Sequence, residues 1–305
     1  MRDDFWASLP PLVVVTGKGG VGKTVVSCAL ARAAVGAGLR VLLLELDARE
    51  SLHRFLGCSP SGGGVIRVAP GLAAENVRPR AVVDRLIGER VRPAWVARRL
   101  IKSVIYEQFV QGAPGLREVA ALGYAIRATG RGPLAAPGLG RAGPGAAGEA
   151  GGHDLVLLDA PATGHGVSLL LAPRLLSEAI GGGPIAALAT EVAAVVGDPA
   201  ACGLWAVSTA EGMALRETLE LDAALRGGLG RGLDLLAVNR LLPDAGAEPA
   251  GVEEWEAVWR RRAAGERDRL AKLAGAWRGP LLRLPLSGHE GPAAVAELAA
   301  ALREA

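Results

Sequence analysis

The stretch Gly17-Lys18-Gly19-Gly20-Val21-Gly22-Lys23-Thr24 places two lysines and a threonine in a loop too rich in glycine to be a stable helix. The spacing satisfies G-x-x-x-x-G-K-[ST], a loop whose backbone N–H groups turn inward around phosphate oxygens while the following helix adds its positive end. In that reading Lys23 reaches the β- and γ-phosphates and Thr24 ligates Mg²⁺. Lys18 is superfluous to the cradle. A cation brought in from outside a phosphate site stabilises charge developing on a transferred phosphoryl group.

Two carboxylates complete the set. Asp47 closes the apolar run in LLLELDARES and Asp159 the one in LVLLDAPATGHG, at strand ends where ligands bind in open α/β sheets. Asp159 is placed to hold Mg²⁺ through water. Asp47 is placed to orient or deprotonate the attacking water.

The elements that must position these residues are legible as alternation. Apolar runs at 12–16, 40–46, 154–159, 203–208, 234–239 and 280–284 read as buried parallel strands. Helical patterns at 23–37, 166–176, 212–225 and 255–277 separate most of them. This is a doubly wound, mostly parallel α/β sheet with phosphate-loop NTPase architecture. Between Arg80 and Thr129 only helical pattern is found, with Leu100, Ile101, Val104, Ile105 and Phe109 forming an apolar stripe. The expected organisation is a core of 1–79 and 153–305, a helical insertion at 80–129, and a flexible Gly/Pro/Ala-rich linker at 130–152.

Composition excludes several classes. Thirty-four basic residues against thirty-one acidic ones give a net charge of +3, with no polycationic tail, so no nucleic-acid partner is expected. Three dispersed cysteines, Cys28, Cys58 and Cys202, imply a reducing compartment rather than a disulfide framework. The start of the chain does not read as a signal peptide. The apolar stretch 167–196 is interrupted by Pro173, Arg174 and Glu178, so a cytoplasmic location is expected.

A family resemblance enters at DAPATGH, 159–165. It is similar to switch II of the arsenite-pump (ArsA-type) ATPases, a family that also includes the ATPase targeting tail-anchored membrane proteins. The family pattern is Asp-Thr-Ala-Pro-Thr-Gly-His; here Pro and Ala are rearranged while Asp159, Thr163, Gly164 and His165 stay in register. DARES resembles the family's switch I, Asp-Pro-Ala-His-Ser, keeping Asp47 and Ser51. The segments APGLREVAAL, VSTAEGMALRETLEL, AVNRLLP and LPLSGHEGPAAVAEL resemble further family segments, the third implying that Asn239 contacts adenine. The loop itself resembles the deviant loop of dimeric ATPases, whose extra lysine crosses to the partner's nucleotide. Val25 stands where the family has a second Thr or Ser touching the α-phosphate, so the resemblance implies one missing hydroxyl contact, worth about 1.5–3 kcal/mol, which weakens binding without abolishing it.

The resemblance implies an ATP- and Mg²⁺-dependent ATPase closing as a homodimer or paralogue heterodimer over two nucleotides, with Lys18 acting in trans. It implies a protein or membrane-protein client. Metalloid efflux, the first alternative, requires converging thiolates, and the 80–129 region has no Cys. A positioning or partition ATPase shares the loop, but its membrane versions end in a basic amphipathic helix, unlike GPAAVAELAAALREA. An iron–sulfur reductase would need cysteines beside the switch strands. A non-hydrolysing partner subunit fits poorly with an intact set of Lys18, Lys23, Thr24, Asp47 and Asp159.

Overall fold

A computed structural model of the chain describes residues 3–46, 50–90, 93–131, 152–161, 163–243 and 254–304. The linker expected at 130–152 therefore lies almost wholly outside the described residues, as does Asp47.

Eight strands form one sheet in the order β3-β4-β2-β5-β1-β6-β7-β8. The strands are β1 (Leu12–Thr16), β2 (Val41–Glu45), β3 (Ile66–Ala69), β4 (Leu72–Asn76), β5 (Leu155–Asp159), β6 (Cys202–Thr209), β7 (Leu235–Leu241) and β8 (Leu281–Pro285). All neighbours run parallel except β3 and β4, an antiparallel pair at one edge. The six strands expected from apolar runs are present. The β3–β4 pair was missed because its residues, IRVA and LAAEN, mix polar and small side chains, β3 at the partly exposed edge and β4 buried beside it.

The uninterrupted apolar character of the central strands follows from burial on both faces. Leu12, Val14, Leu42, Leu44, Val156 and Leu158 pack into one core. Their neighbours Val13, Val15, Leu43, Leu155 and Leu157 pack into the other, as the two-residue period of a strand requires. The second core is closed by α1 (Asp3–Ala7), α2 (Lys23–Gly36), α3 (Leu52–Leu56) and α12 (Gly291–Glu304). The first is closed by α4 (Pro79–Arg90), α6 (Val104–Gly112), α7 (Leu116–Ala128), α8 (Thr163–Ala179), α9 (Pro184–Gly197), α10 (Gly212–Leu229) and α11 (Glu254–Ala276). With α5 (Ala94–Ile101), the helices α4–α7 occupy the stretch read as helical. Val82, Tyr106, Val110 and Val119 from it share the core of the sheet. Of the stripe named above, Ile101 is partly buried against this core; the side chains of Leu100, Val104, Ile105 and Phe109 lie outside the described residues. Among the described residues no helix is long and apolar enough to cross a membrane.

At the amino ends of the strands Arg40 grips Asp154, its Nε donating at 3.0 Å and its backbone N at 2.9 Å to Oδ2. This holds the Asp154 carboxyl down at about 2 and aligns the entrances of β2 and β5. Beyond β1, Gly17 has φ +141°, and a Cβ there would stand 2.1 Å from the Val207 carbonyl of β6. Gly17→Ala is therefore expected to lower unfolding stability by about 2 kcal/mol through overpacking against backbone, measured by urea titration.

Candidate nucleotide site

The turn after β1 delivers the glycine-rich loop to the carboxyl edge of the sheet, and α2 begins at Lys23. Gly22 caps it with φ +92°, and a Cβ there would meet the Asn239 amide nitrogen at 2.5 Å. Asn239, at the end of β7 and buried, donates from Nδ2 to the Val21 carbonyl at 3.0 Å. Arg240 donates from Nη1 to the Gly20 carbonyl at 3.0 Å from a left-handed backbone (φ +60°) at a register shift between β7 and β8. Two consecutive residues of β7 thus hold the loop from outside.

Inside the loop, Lys23 is buried and donates from Nζ to the Lys18 carbonyl at 3.0 Å. Thr24 Oγ1 donates to Asp159 Oδ2 at 2.7 Å, and Ser27 Oγ donates to Asp159 Oδ1 at 3.0 Å. Burial pushes the Asp159 carboxyl up to about 6. The Thr24 and Ser27 hydroxyls pull it down, the Glu45 carboxylate adds to the rise, and Lys23 opposes it. A buried carboxylate held by two hydroxyls and short of positive charge, with a threonine oxygen beside it, is a donor set of hard oxygens that fits Mg²⁺. Thr24 would hold the ion and Asp159 would reach it through water; bound there with a nucleotide, it would neutralise phosphate charge.

A cavity of about 930 Å³ opens over this group, lined by Gly19, Gly20, Gly22, Lys23, Thr24, Val25, Asp159 and Asn239. Its far wall includes Arg54 and Phe55 of α3, then Pro285, Leu286 and His289. It can take a nucleotide, since ligand pockets of this class run from about 300 to 1,000 Å³. Lys18 is not among the lining residues. Its ammonium donates instead to Glu217 Oε1 on α10 at 2.6 Å.

The expected residues are thus largely brought together: Gly17 through Val25, Asp159 and Asn239 meet at one edge. Asp47 lies outside the described residues, as do the side chains of Thr163, Gly164 and His165, whose backbone opens α8. Ser51 is not in the cavity wall; its hydroxyl and backbone N both donate to Glu45. Sequence reading missed Ser27, Glu45, Glu217 and Arg240. Ser27 follows Thr24 at the helical i+3 spacing, a signal that it shares Thr24's face. Glu45 is a charge inside a run of buried leucines, a rare placement without a partner.

Residues 11–182 match the family model described as anion-transporting ATPase. The chain belongs to the ArsA-type anion-transporting ATPase family. It is similar to an arsenical pump-driving ATPase of Escherichia coli, 36% identical over 92 residues, which is 29% of this chain and 15% of that protein. It is also similar to a putative ATPase of Mycobacterium bovis and to the ATPase BagA of Mycobacterium tuberculosis. Each is 26% identical over 220 residues, or 68% of this chain and 59% of the relative. The chain therefore spans between about a seventh and three-fifths of the length of these curated relatives.

Proposed function

We propose that this chain is a Mg²⁺-dependent ATPase that closes as a dimer over two nucleotides, each protomer lending Lys18 to its neighbour's γ-phosphate. The observation that supports this reading is the direction of Lys18. It leaves a loop in which Gly19, Gly20, Gly22, Lys23, Thr24 and Val25 line the cavity, yet its ammonium is held by Glu217 on α10 and not in that wall. A cation that turns away from its own phosphate site is available to another. Lys23 and the loop amides bind the phosphates, Thr24 and Asp159 orient the metal, and Asp47 directs water at the γ-phosphate. With Nδ2 committed to Val21, the Oδ1 of Asn239 accepts the exocyclic amino group of adenine. A guanine, which presents a carbonyl there, is disfavoured.

Sedimentation with and without MgATP tests the dimer. The Asp47→Asn protein, which retains ATP, is expected to shift from monomer to dimer on adding nucleotide. A protein that stays monomeric at saturating ATP overturns the reading.

The second protomer is an identical chain or a paralogue, and the closing motion is delivered to a protein or membrane-associated client. A metalloid cargo needs thiolates presented together. Cys28 and Cys202 are instead wholly buried, and burial pushes the Cys28 thiol well up and the Cys202 thiol to about 12.

A further inference from the structure

Glu45 is the last residue of β2 and sits opposite Asp159 in the sheet register. It is wholly buried, and among the described residues the hydrogen bonds its carboxylate receives come from elsewhere than the phosphate loop. Ser51 donates to it from backbone N, at 2.9 Å to each oxygen, and from Oγ. Leu52 N donates to Oε2 at 3.4 Å, and Asn76 Nδ2 donates to the same oxygen at 3.3 Å.

These contacts belong to a closed ring. The backbone N of Asn76 donates to Ser61 Oγ at 2.9 Å. Ser61 and Gly62 donate their backbone N–H groups to the carboxylate of Glu50, and Glu50 immediately precedes Ser51. Glu50 has a left-handed backbone (φ 38°), a conformation that a residue with a Cβ holds only where its surroundings enforce it. The ring supplies that enforcement from both sides. Ser51 in turn is the N-cap residue of α3, which places Arg54 and Phe55 in the wall of the nucleotide cavity. Along the chain, the segment between Glu45 and Ser51 carries Asp47.

We infer that Glu45 is a positioning residue for the nucleotide reaction. Its carboxylate ties the point where the chain leaves β2 to the point where it returns at Ser51, and so seats α3 against the cavity. The inference rests on the ATPase reading for its kinetic consequence, but the tie itself does not. A carboxylate suits this place because all its partners donate. A glutamine of the same shape would turn an –NH₂ group toward donors and leave one of them unsatisfied.

The test compares wild type, Glu45→Gln and Ser51→Ala by turnover, by affinity for a fluorescent ATP analogue, and by trypsin cleavage after Arg49. Glu45→Gln is expected to lower kcat about tenfold with affinity changed less than about threefold, and to speed cleavage after Arg49 about tenfold. Ser51→Ala is expected to move both in the same direction by about threefold. The double variant is expected to be no worse than Glu45→Gln, because the two residues act through one contact. Wild-type turnover and wild-type protection in Glu45→Gln would overturn the inference; so would simple additivity in the double variant. Should Glu45→Gln fail to fold, Ser51→Ala decides by the same two readouts. The proteolysis arm needs no activity. A wild-type protein without ATPase activity would therefore sink the enzymatic reading, while protection lost in the variants would still locate the tie at Glu45.

Discussion

Replacing Lys18 by alanine is expected to leave ATP affinity near that of the wild type and to slow hydrolysis by about a thousandfold, the lower range for a cation supplied to a phosphoryl-transfer transition state. The side chain pairs with Glu217 and is not among the residues that line its own cavity, so its removal costs the bound nucleotide little. In the proposed dimer its contribution would be realised only as charge develops on the γ-phosphate of a neighbour, and such an interaction appears in kcat and not in binding. Equal losses in affinity and turnover would place Lys18 in its own protomer's site instead.

The same reading makes a sharper demand on mixtures. Lys18→Ala and Asp47→Asn proteins are each expected to be inactive. In a dimer of one with the other, the Lys18→Ala protomer keeps its own Asp47 and receives a lysine from its partner. A one-to-one mixture forms mixed dimers half the time with one working site in each, so activity returns to about a quarter of wild type. No recovery on mixing would show that both residues serve one chain. The Glu217 contact is a weak restraint on this exchange. Lys18 and Glu217 side chains are 30% and 33% exposed, and a pair so open to solvent holds by about 0.2–1 kcal/mol. Glu217→Ala is thus expected to raise turnover at limiting protein concentration by no more than about fivefold, a small change beside the loss from Lys18→Ala.

How far these positions were legible depended on what each element buries. The central strands announce themselves because both faces are covered, and the chain has no polar residue to alternate with: VLLL in β2 and LVLL in β5 are apolar throughout. The edge pair β3 and β4 carries no such signal, since one side of β3 meets solvent and its residues are Ile, Arg, Val and Ala. The glycine-rich loop was readable for a different reason. Backbone N–H groups do its work, so its requirement is for the absence of side chains at fixed positions, and absence is written plainly in sequence. Gly17 and Gly22 show what that requirement is in space, with β6 backbone and Asn239 occupying the places a Cβ would take.

Residues that hold other residues were harder to find. Glu217 lies 199 positions from Lys18, and only the adjacency of α10 to the loop makes the pair. Arg240 reaches Gly20 because the backbone turns through a left-handed conformation at a strand irregularity, a feature without a local signature for arginine. Glu45 and Ser27 were closer to the surface of the text, one a charge in a buried strand and the other a hydroxyl one helical turn beyond Thr24. Each becomes intelligible once its partner is named.

Asp159 connects this architecture to acidity and to metal, with effects of opposite sign. Its carboxyl titrates at about 6 in the folded chain and in the ordinary carboxylate range when unfolded, so between about pH 4 and pH 6 the folded state binds more protons. The contribution of this group to stability is therefore full below pH 4 and is lost as pH rises through 6. The span is at most about 3 kcal/mol at 1.36 kcal/mol per unit. Asp159→Asn is expected to remove that slope and, without metal, to unfold at higher urea than wild type at pH 7.5. The amide is tolerated because the Thr24 and Ser27 hydroxyls can each turn to accept or donate. In function the sign reverses: the variant is expected to need about ten- to a hundredfold more magnesium for the same ATP turnover, as when a water-mediated metal partner is lost. Urea titrations at pH 4.5 and 7.5, paired with magnesium titrations of ATPase activity, check both. A variant less stable than wild type at pH 7.5 without metal would mean that Asp159 is ionised at no cost, held by the loop's own cations and not waiting for one to arrive with the nucleotide.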